Sequence, residues 1–289
     1  MPQSTKGVIA MAFAALVWGL SPLYYAQLAH IPPAEVLAHR TLWSVVIFSA
    51  VILLTRRGAE TMRVITTPRL LAWIGAAGVM IATNWYVFIY SVAAGRVTES
   101  SLGYYFFPLV MVLLGQAVFK ERLNMLQWVA VGFGLVAALV LTIGLGAPPW
   151  LALIIAGTFG FYGMVKKQVA ADPIVSVTIE VLVLLPIALL YIALWGTVVD
   201  ASSLGLLVFS GIITAGPLML MTYATRVVRM ATVGLIQYTN PMVQYFCAIV
   251  ILGEIITGWH VAALAAIAVA LTLYSLSAFQ ADRKMPTTS

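Results

Sequence analysis

Two ionisable side chains stand inside long apolar stretches of this sequence, Arg40 in the stretch 35–55 and Glu180 in the stretch 174–195. A charge near the middle of a bilayer-spanning helix costs roughly 3 kcal/mol, so each needs a cavity, a partner or a task. The chemistry open to them is binding a charged group of a substrate, gating, and, for Glu180, exchanging a proton. The plainer roles are an Arg40 that reaches outward to water and a Glu180 held by local hydrogen bonds. Each lies about 9–10 Å inside its own face by helical rise, and they enter from opposite faces. That leaves about 10–12 Å of depth between them in a core of about 30 Å, so a direct ion pair is not expected.

A second group is polar and aromatic: Asn84, Tyr104, Tyr105, Gln237, Tyr238 and Asn240. Buried amides and phenols want partners, which a bundle interior or a water-filled cavity supplies. Hydrogen bonding between helices is the commoner role for any one of them. Trp18, beside Gly19 and four residues before Pro22, is placed to form a cavity wall. Together with Arg40 and Glu180 these are the candidate substrate-binding residues. Nothing points to catalysis. His30, His39 and His260 are scattered, there is no H-E-x-x-H, and no acidic pair falls within a span. The single Cys247 lies in an apolar run, so neither a disulfide framework nor a metal site is expected, and no cofactor is implied.

The elements that must position these residues are membrane helices. Hydrophobic residues make up 63% and charged residues 8% of the chain, against roughly a quarter charged in soluble domains. Breaks at charge, Pro and Gly clusters give ten spans: 7–28, 35–55, 70–92, 99–118, 125–145, 150–167, 174–195, 204–225, 231–252 and 258–279. Most are close to the roughly 20 residues that cross a hydrocarbon core. The first is longer than a signal-peptide core of about 7–15 residues and reads as a retained helix. The longest connection, 56–69, reads as a loop. Trp73, Trp128, Trp150, Trp195 and Trp259 lie near span ends and read as interface anchors. Gly75, Gly78, Gly132 and Gly134 read as close-packing positions.

With a cytoplasmic N-terminus, thirteen Lys and Arg residues fall on that side and Arg96 alone on the other. This bias predicts a multi-pass protein of the bacterial inner membrane with both termini cytoplasmic. The net charge of +6 comes from these inter-span residues, so no nucleic-acid partner is expected. The partners expected are the lipid bilayer and a small-molecule metabolite.

The chain also resembles itself. A shift of 133 places Tyr90 on Tyr223, Arg96 on Arg229, Leu102 on Leu235, Tyr105 on Tyr238, Pro108 on Pro241 and Glu121 on Glu254. A shift of 140 places Pro33 on Pro173 and Arg40 on Glu180. Five spans per half is an odd number, so the second copy enters the membrane from the opposite face. The expectation is an all-α membrane protein of about ten helices in two inverted five-helix repeats, 1–146 and 147–289. Such repeats build many secondary transporters, with the substrate site near the midplane. Pro108 and Pro241, both within spans, are candidates for paired bends. Glu121 and Glu254, at span ends, are expected to fix loops or helix dipoles.

The segments W-G-L-S-P-L-Y at 18–24, A-H-R-T-L-W-S at 38–44 and N-W-Y-V-F-I-Y at 84–90 resemble the RarD branch of the EamA, or drug/metabolite transporter, superfamily. So do E-S-S-L-G-Y-Y-F-F-P-L at 99–109, G-L-I-Q-Y-T-N-P at 234–241 and L-G-E at 252–254. Phe107 departs from the pattern, which often has Asn before Pro108; Asn240 keeps it before Pro241. The resemblance implies two inverted five-helix halves, a central cavity and alternating access. The resulting expectation is a secondary-active transporter for a small polar or amphipathic metabolite, such as an amino acid, an amine, a related compound or a drug. Efflux and proton coupling belong to the same picture. An intramembrane enzyme and a non-transporting regulatory membrane protein stay open as alternatives. A channel is not supported, since there is no repeated filter segment or ring of like charges.

Overall fold

The computed structural model of the protein describes residues 3–120, 123–146, 149–169, 171–197, 200–227 and 236–284. Its helices are α1 (Gln3–Ala26), α2 (Pro33–Leu54), α3 (Gly58–Ile65), α4 (Pro68–Ala93), α5 (Val97–Phe119) and α6 (Met125–Leu145). They continue with α7 (Trp150–Gln168), α8 (Pro173–Trp195), α9 (Ala201–Val227), α10 (Thr239–Phe246) and α11 (Gly258–Lys284). Among the described residues eight helices are long and apolar enough to cross a membrane, and two shorter apolar runs, Trp150–Lys166 and Thr239–Ile251, bring the set to ten.

The helix starts follow local chemistry. Pro33, Pro68 and Pro173 open α2, α4 and α8, where a missing N–H costs least. Asn124 and Gln127 form a reciprocal capping box on α6. Asp200 accepts the N–H groups of Ser202 and Ser203 at the start of α9. Hydrogen bonds from Ser202 and Ser203 hold its carboxyl well below the usual carboxylate range.

Two elements differ from the sequence expectation. The 56–69 connection contains α3. Eight residues would not hold a helix in water, but Val64 is buried beside Ile52, Ile74 and Ile179, and Glu60 accepts the N–H of Asp172. The ninth span is interrupted: a turn at Tyr238 precedes α10, and a π-helical turn, Cys247–Ile251, follows it. Pro241 is therefore the third residue of α10, in the first turn, where it breaks no helical bond. Residues 228–235 lie outside the described residues, and with them Arg229 and Leu235 of the internal repeat, as do Glu121 and Arg122.

The packing is the same when the halves are exchanged. α1 lies on α9 as α7 lies on α4, α5 on α7 as α10 on α1, and α2 on α9 as α8 on α4. α2–α8 and α6–α11 pair across the centre. With five spanning helices in each half, the two repeats are inverted. Leu53, Leu135, Leu139, Ile143 and Leu190 are exposed on the outside of the bundle, the surface that lipid covers. The five tryptophans read as anchors are all exposed and lie near helix ends.

Small residues set the closest approaches. A Cβ on Gly78 would lie 3.2 Å from the carbonyl oxygen of Glu180, so this glycine lets α4 rest on the backbone of α8. Gly132, by contrast, faces open space. Gly78→Leu is expected to destabilise the protein by about 1–3 kcal/mol through overpacking, and Gly78→Ala by less. Thermal unfolding in detergent checks this, and a wild-type melting curve for Gly78→Leu would refute it.

Candidate functional site: a cavity between the halves

A cavity of about 100 Å³ opens in the centre of the bundle, lined from both halves. Among the described residues, its charged lining is Arg40 from α2 and Glu180 from α8. Both are buried, at 5% and 1% exposure, which excludes an Arg40 that reaches out to water. They are not paired with each other.

Glu180 belongs to a closed set of donors. Lys166 Nζ lies 2.7 Å from its Oε1, the Ser176 hydroxyl donates to the same oxygen, and the Tyr162 hydroxyl donates to Oε2 at 3.2 Å. Lys166 is in the last turn of α7 and also donates to Ser176 at 2.6 Å. By sequence it belongs with the inter-span charges on the N-terminal side. From the end of α7, Lys166 reaches Ser176 on α8 and, one turn further, Glu180.

Arg40 is held differently. Its Nη1 donates to the Tyr25 hydroxyl at 2.9 Å, and the guanidinium carbon stands 4.1 Å from the ring centre of Trp85. Its Nε is buried and has no hydrogen-bond partner. The ion pairs among the described residues are Arg57–Asp172, Arg96–Glu99 and Lys166–Glu180, and Arg40 is in none of them. With Lys166 neutralising Glu180, the described residues of the cavity carry one net positive charge.

Of the other residues singled out from the sequence, Trp18, Asn84, Tyr104, Gln237 and Asn240 also line the cavity. Asn84 and Tyr104 bind helices together. Asn84 Nδ2 donates to the Ile155 carbonyl at 3.0 Å and to Thr158, and the Tyr104 hydroxyl donates to Asn84 Oδ1. Asn240 accepts from Gln244 Nε2, whereas Gln237 Oε1 is buried without a partner. Tyr105 and Tyr238 do not reach the cavity. Both pack in the apolar cluster around Leu102, Leu109, Ala137 and Leu141. Neighbours on a helix point about 100° apart, so Tyr105 turns away when Tyr104 faces inward.

Sequence reasoning missed Tyr25, Trp85, Tyr162, Lys166 and Gln244. Tyr25 and Trp85 follow or sit within motifs already noted, and Gln244 lies four residues after Asn240, on the same helix face. Signals for these were present. Tyr162 and Lys166 needed the α7–α8 contact.

The ends of the cavity are bridged between halves. At the end where α5 begins, Glu254 accepts the N–H groups of Val97 and Thr98, Glu99 accepts the N–H of Leu151, and Glu35 accepts from the amide and hydroxyl of Thr197. At the opposite end Arg57 pairs with Asp172, and Glu60 accepts the Asp172 N–H.

The sequence pattern of the EamA-like transporter family matches this chain twice, over residues 5–143 and 148–276. The chain belongs to that family. Among curated proteins, a "Protein RarD" of Streptomyces exfoliatus is 38% identical, covering 79% of this chain and 75% of its own. "Protein RarD" of Escherichia coli is 31% identical, with 98% of each chain covered. An "Uncharacterized transporter" of Vibrio cholerae is 32% identical, covering 96% of this chain and 95% of its own. One crystal structure superposes with a TM-score of 0.63 at 18% identity, covering 96% of this chain and 98% of that one, a likeness of fold. This EamA-family protein is thus a multi-pass membrane protein of a transporter superfamily with RarD relatives.

Proposed function

We propose that the protein is a secondary-active transporter that moves a small metabolite across the bacterial inner membrane by alternating access, with the central cavity as its binding site. The observation that carries this reading is the cavity itself: it lies between two inverted halves, draws its polar lining from both, and is bridged at both ends. Transport then consists of breaking the bridges at one end while the other end stays closed. Relatives described as transporters support the class. An enzyme would need a reacting constellation, and the cavity offers an ion pair and a lone guanidinium instead.

Coupling is assigned to Glu180 and Lys166, the ionisable pair at the cavity among the described residues. A proton arriving on Glu180 removes the attraction that holds Lys166, and the α7–α8 contact loosens. The test is exchange in proteoliposomes loaded with labelled amino acids, amines and aromatic carboxylates. At least one class should show saturable counterflow, and Thr214→Trp, which fills the cavity, should abolish it. Counterflow that survives the filled cavity would remove the site from the account.

The membrane orientation is a second part of the proposal, resting on the placement of Lys and Arg. Cysteines at Ala59 and Ala94, both exposed, report it in a chain whose own Cys247 is buried. An impermeant maleimide added to intact cells should label Ala94→Cys and leave Ala59→Cys unlabelled. The opposite pattern would reverse the orientation.

A further inference from the structure

We propose that Arg40 is the anion-binding pole of the central cavity and that the ligand is a small monocarboxylate with an apolar or aromatic body. The inference deepens the transporter reading, since it takes the cavity as the ligand site.

The starting point is an imbalance. A buried cation in a membrane protein is stable when an acid or a dense set of acceptors faces it. Lys166 meets this requirement through Glu180 and Ser176. Arg40 does not, although it is the more deeply buried of the two. Its partners are the Tyr25 hydroxyl and the rings of Tyr25 and Trp85, none of them an anion, and its Nε–H is orphaned. A cation–π contact offsets part of the cost of burial but accepts no N–H. A guanidinium presents its donors in a planar fork that matches a carboxylate edge-on. The guanidinium lies 4.1 Å over the Trp85 ring and gives Nη1 to Tyr25, which leaves the unpartnered Nε–H as a donor for that approach.

The charge of the ligand follows from the count at the cavity. Glu180 is already satisfied by three donors, so one positive charge is left over. A monoanion cancels it. A phosphate dianion would bring an uncompensated negative charge into the same apolar space, and a simple amine would add a second positive one. The body of the ligand is set by the walls, where Trp18, Phe88, Tyr104 and Phe159 present aromatic surface. Gln237 Oε1, buried and unpartnered on the lining, is ready to accept a hydrogen bond from a donor on that body. The competing possibility is an Arg40 that Tyr25 and Trp85 hold for structure alone.

The experiment uses the full chain purified in detergent and a matched series: benzoate and phenylacetate against benzamide and benzylamine. Melting temperature is followed against ligand concentration, because a ligand that binds the folded state raises it. The carboxylates should give saturable protection in the wild type, with benzamide and benzylamine inactive at the same concentrations. Arg40→Gln should weaken carboxylate binding at least tenfold, and Arg40→Lys by less. If Arg40→Gln fails to fold, the wild-type series and Trp85→Leu decide, the latter folding normally and binding carboxylate several-fold more weakly. Protection by the amide or amine alone, protection by nothing in the series, or an undiminished effect in Arg40→Gln would each overturn the proposal. Counterflow separates the two readings. Carboxylate binding without exchange would sink transport and leave the anion pole standing, whereas exchange of amines alone would do the reverse.

Discussion

Replacing Glu180 with glutamine is expected to destabilise the protein by about 3 kcal/mol, the low end for breaking a buried ion pair, because the Lys166 side chain keeps 22% exposure. The variant leaves an ammonium facing a neutral amide, with Ser176 as its remaining close acceptor. Read from the sequence alone, Glu180→Gln should fold like the wild type and fail only in transport; the Lys166 contact changes that expectation. Lys166→Met together with Glu180→Gln should recover more than half of the lost stability, since it removes the stranded charge as well. A double-mutant cycle by unfolding in detergent measures the coupling, expected at about 2 kcal/mol. A coupling near zero would mean that the pair contributes nothing. Transport adds a second reading. The double variant should retain counterflow and lose gradient-driven uptake, and normal uptake would rule out Glu180 as the coupling residue.

Opening the end where α5 begins is expected to become far easier when its carboxylate bridges are removed. Glu254, Glu99 and Glu35 each bond main-chain N–H groups in the other half, at distances such as 2.8 Å to Thr98 and 2.9 Å to Thr197. Glu254 and Glu99 do so at the N-terminal ends of α5 and α7, where the helix dipole favours an anion. A hydrogen bond to a charged group contributes about 1.5–3 kcal/mol, and 1.4 kcal/mol is tenfold in an equilibrium. Glu254→Ala should therefore raise the population open at this end by about tenfold or more, and Glu35→Ala with Glu254→Ala by about a hundredfold. The reporter is Ser21→Cys, on the cavity lining, in a chain with Cys247 replaced by Ala. Its modification by an impermeant maleimide should accelerate by these factors when the reagent is applied at that end. Equal acceleration from both ends would indicate general loosening, and no acceleration would show that the bridges do not hold the cavity shut.

Much of this protein was legible in its sequence. An unpaired backbone group is prohibitively costly in hydrocarbon, so each crossing must be a helix of nearly fixed length, and long apolar blocks between charges reveal the crossings directly. The boundaries of α6 match the expected span, and α2, α4, α5 and α8 agree to within two residues. The five-plus-five arrangement was visible in the recurrence of Tyr, Pro and Glu. Arg40 and Glu180 stood out because a buried charge is too expensive to be incidental, and both line the cavity.

Tertiary structure decided which way each helix is turned and what each polar group touches. In α2 and α5 the apolar residues are not gathered in one stripe, because one side meets lipid and the other a packed core, so periodicity does not mark the inner face. That is why Tyr104 and Tyr105 looked equivalent, although one lines the cavity and the other packs outside it. The short helix α3 escaped notice because Val64 is its one buried residue and distant helices hold it in place. Spacing alone placed Glu180 in a membrane span; the α7–α8 contact supplied its Lys166 partner. Arg40 became the charge left unpaired once those contacts had formed, since a partner is a property of neighbouring helices and not of the residue itself.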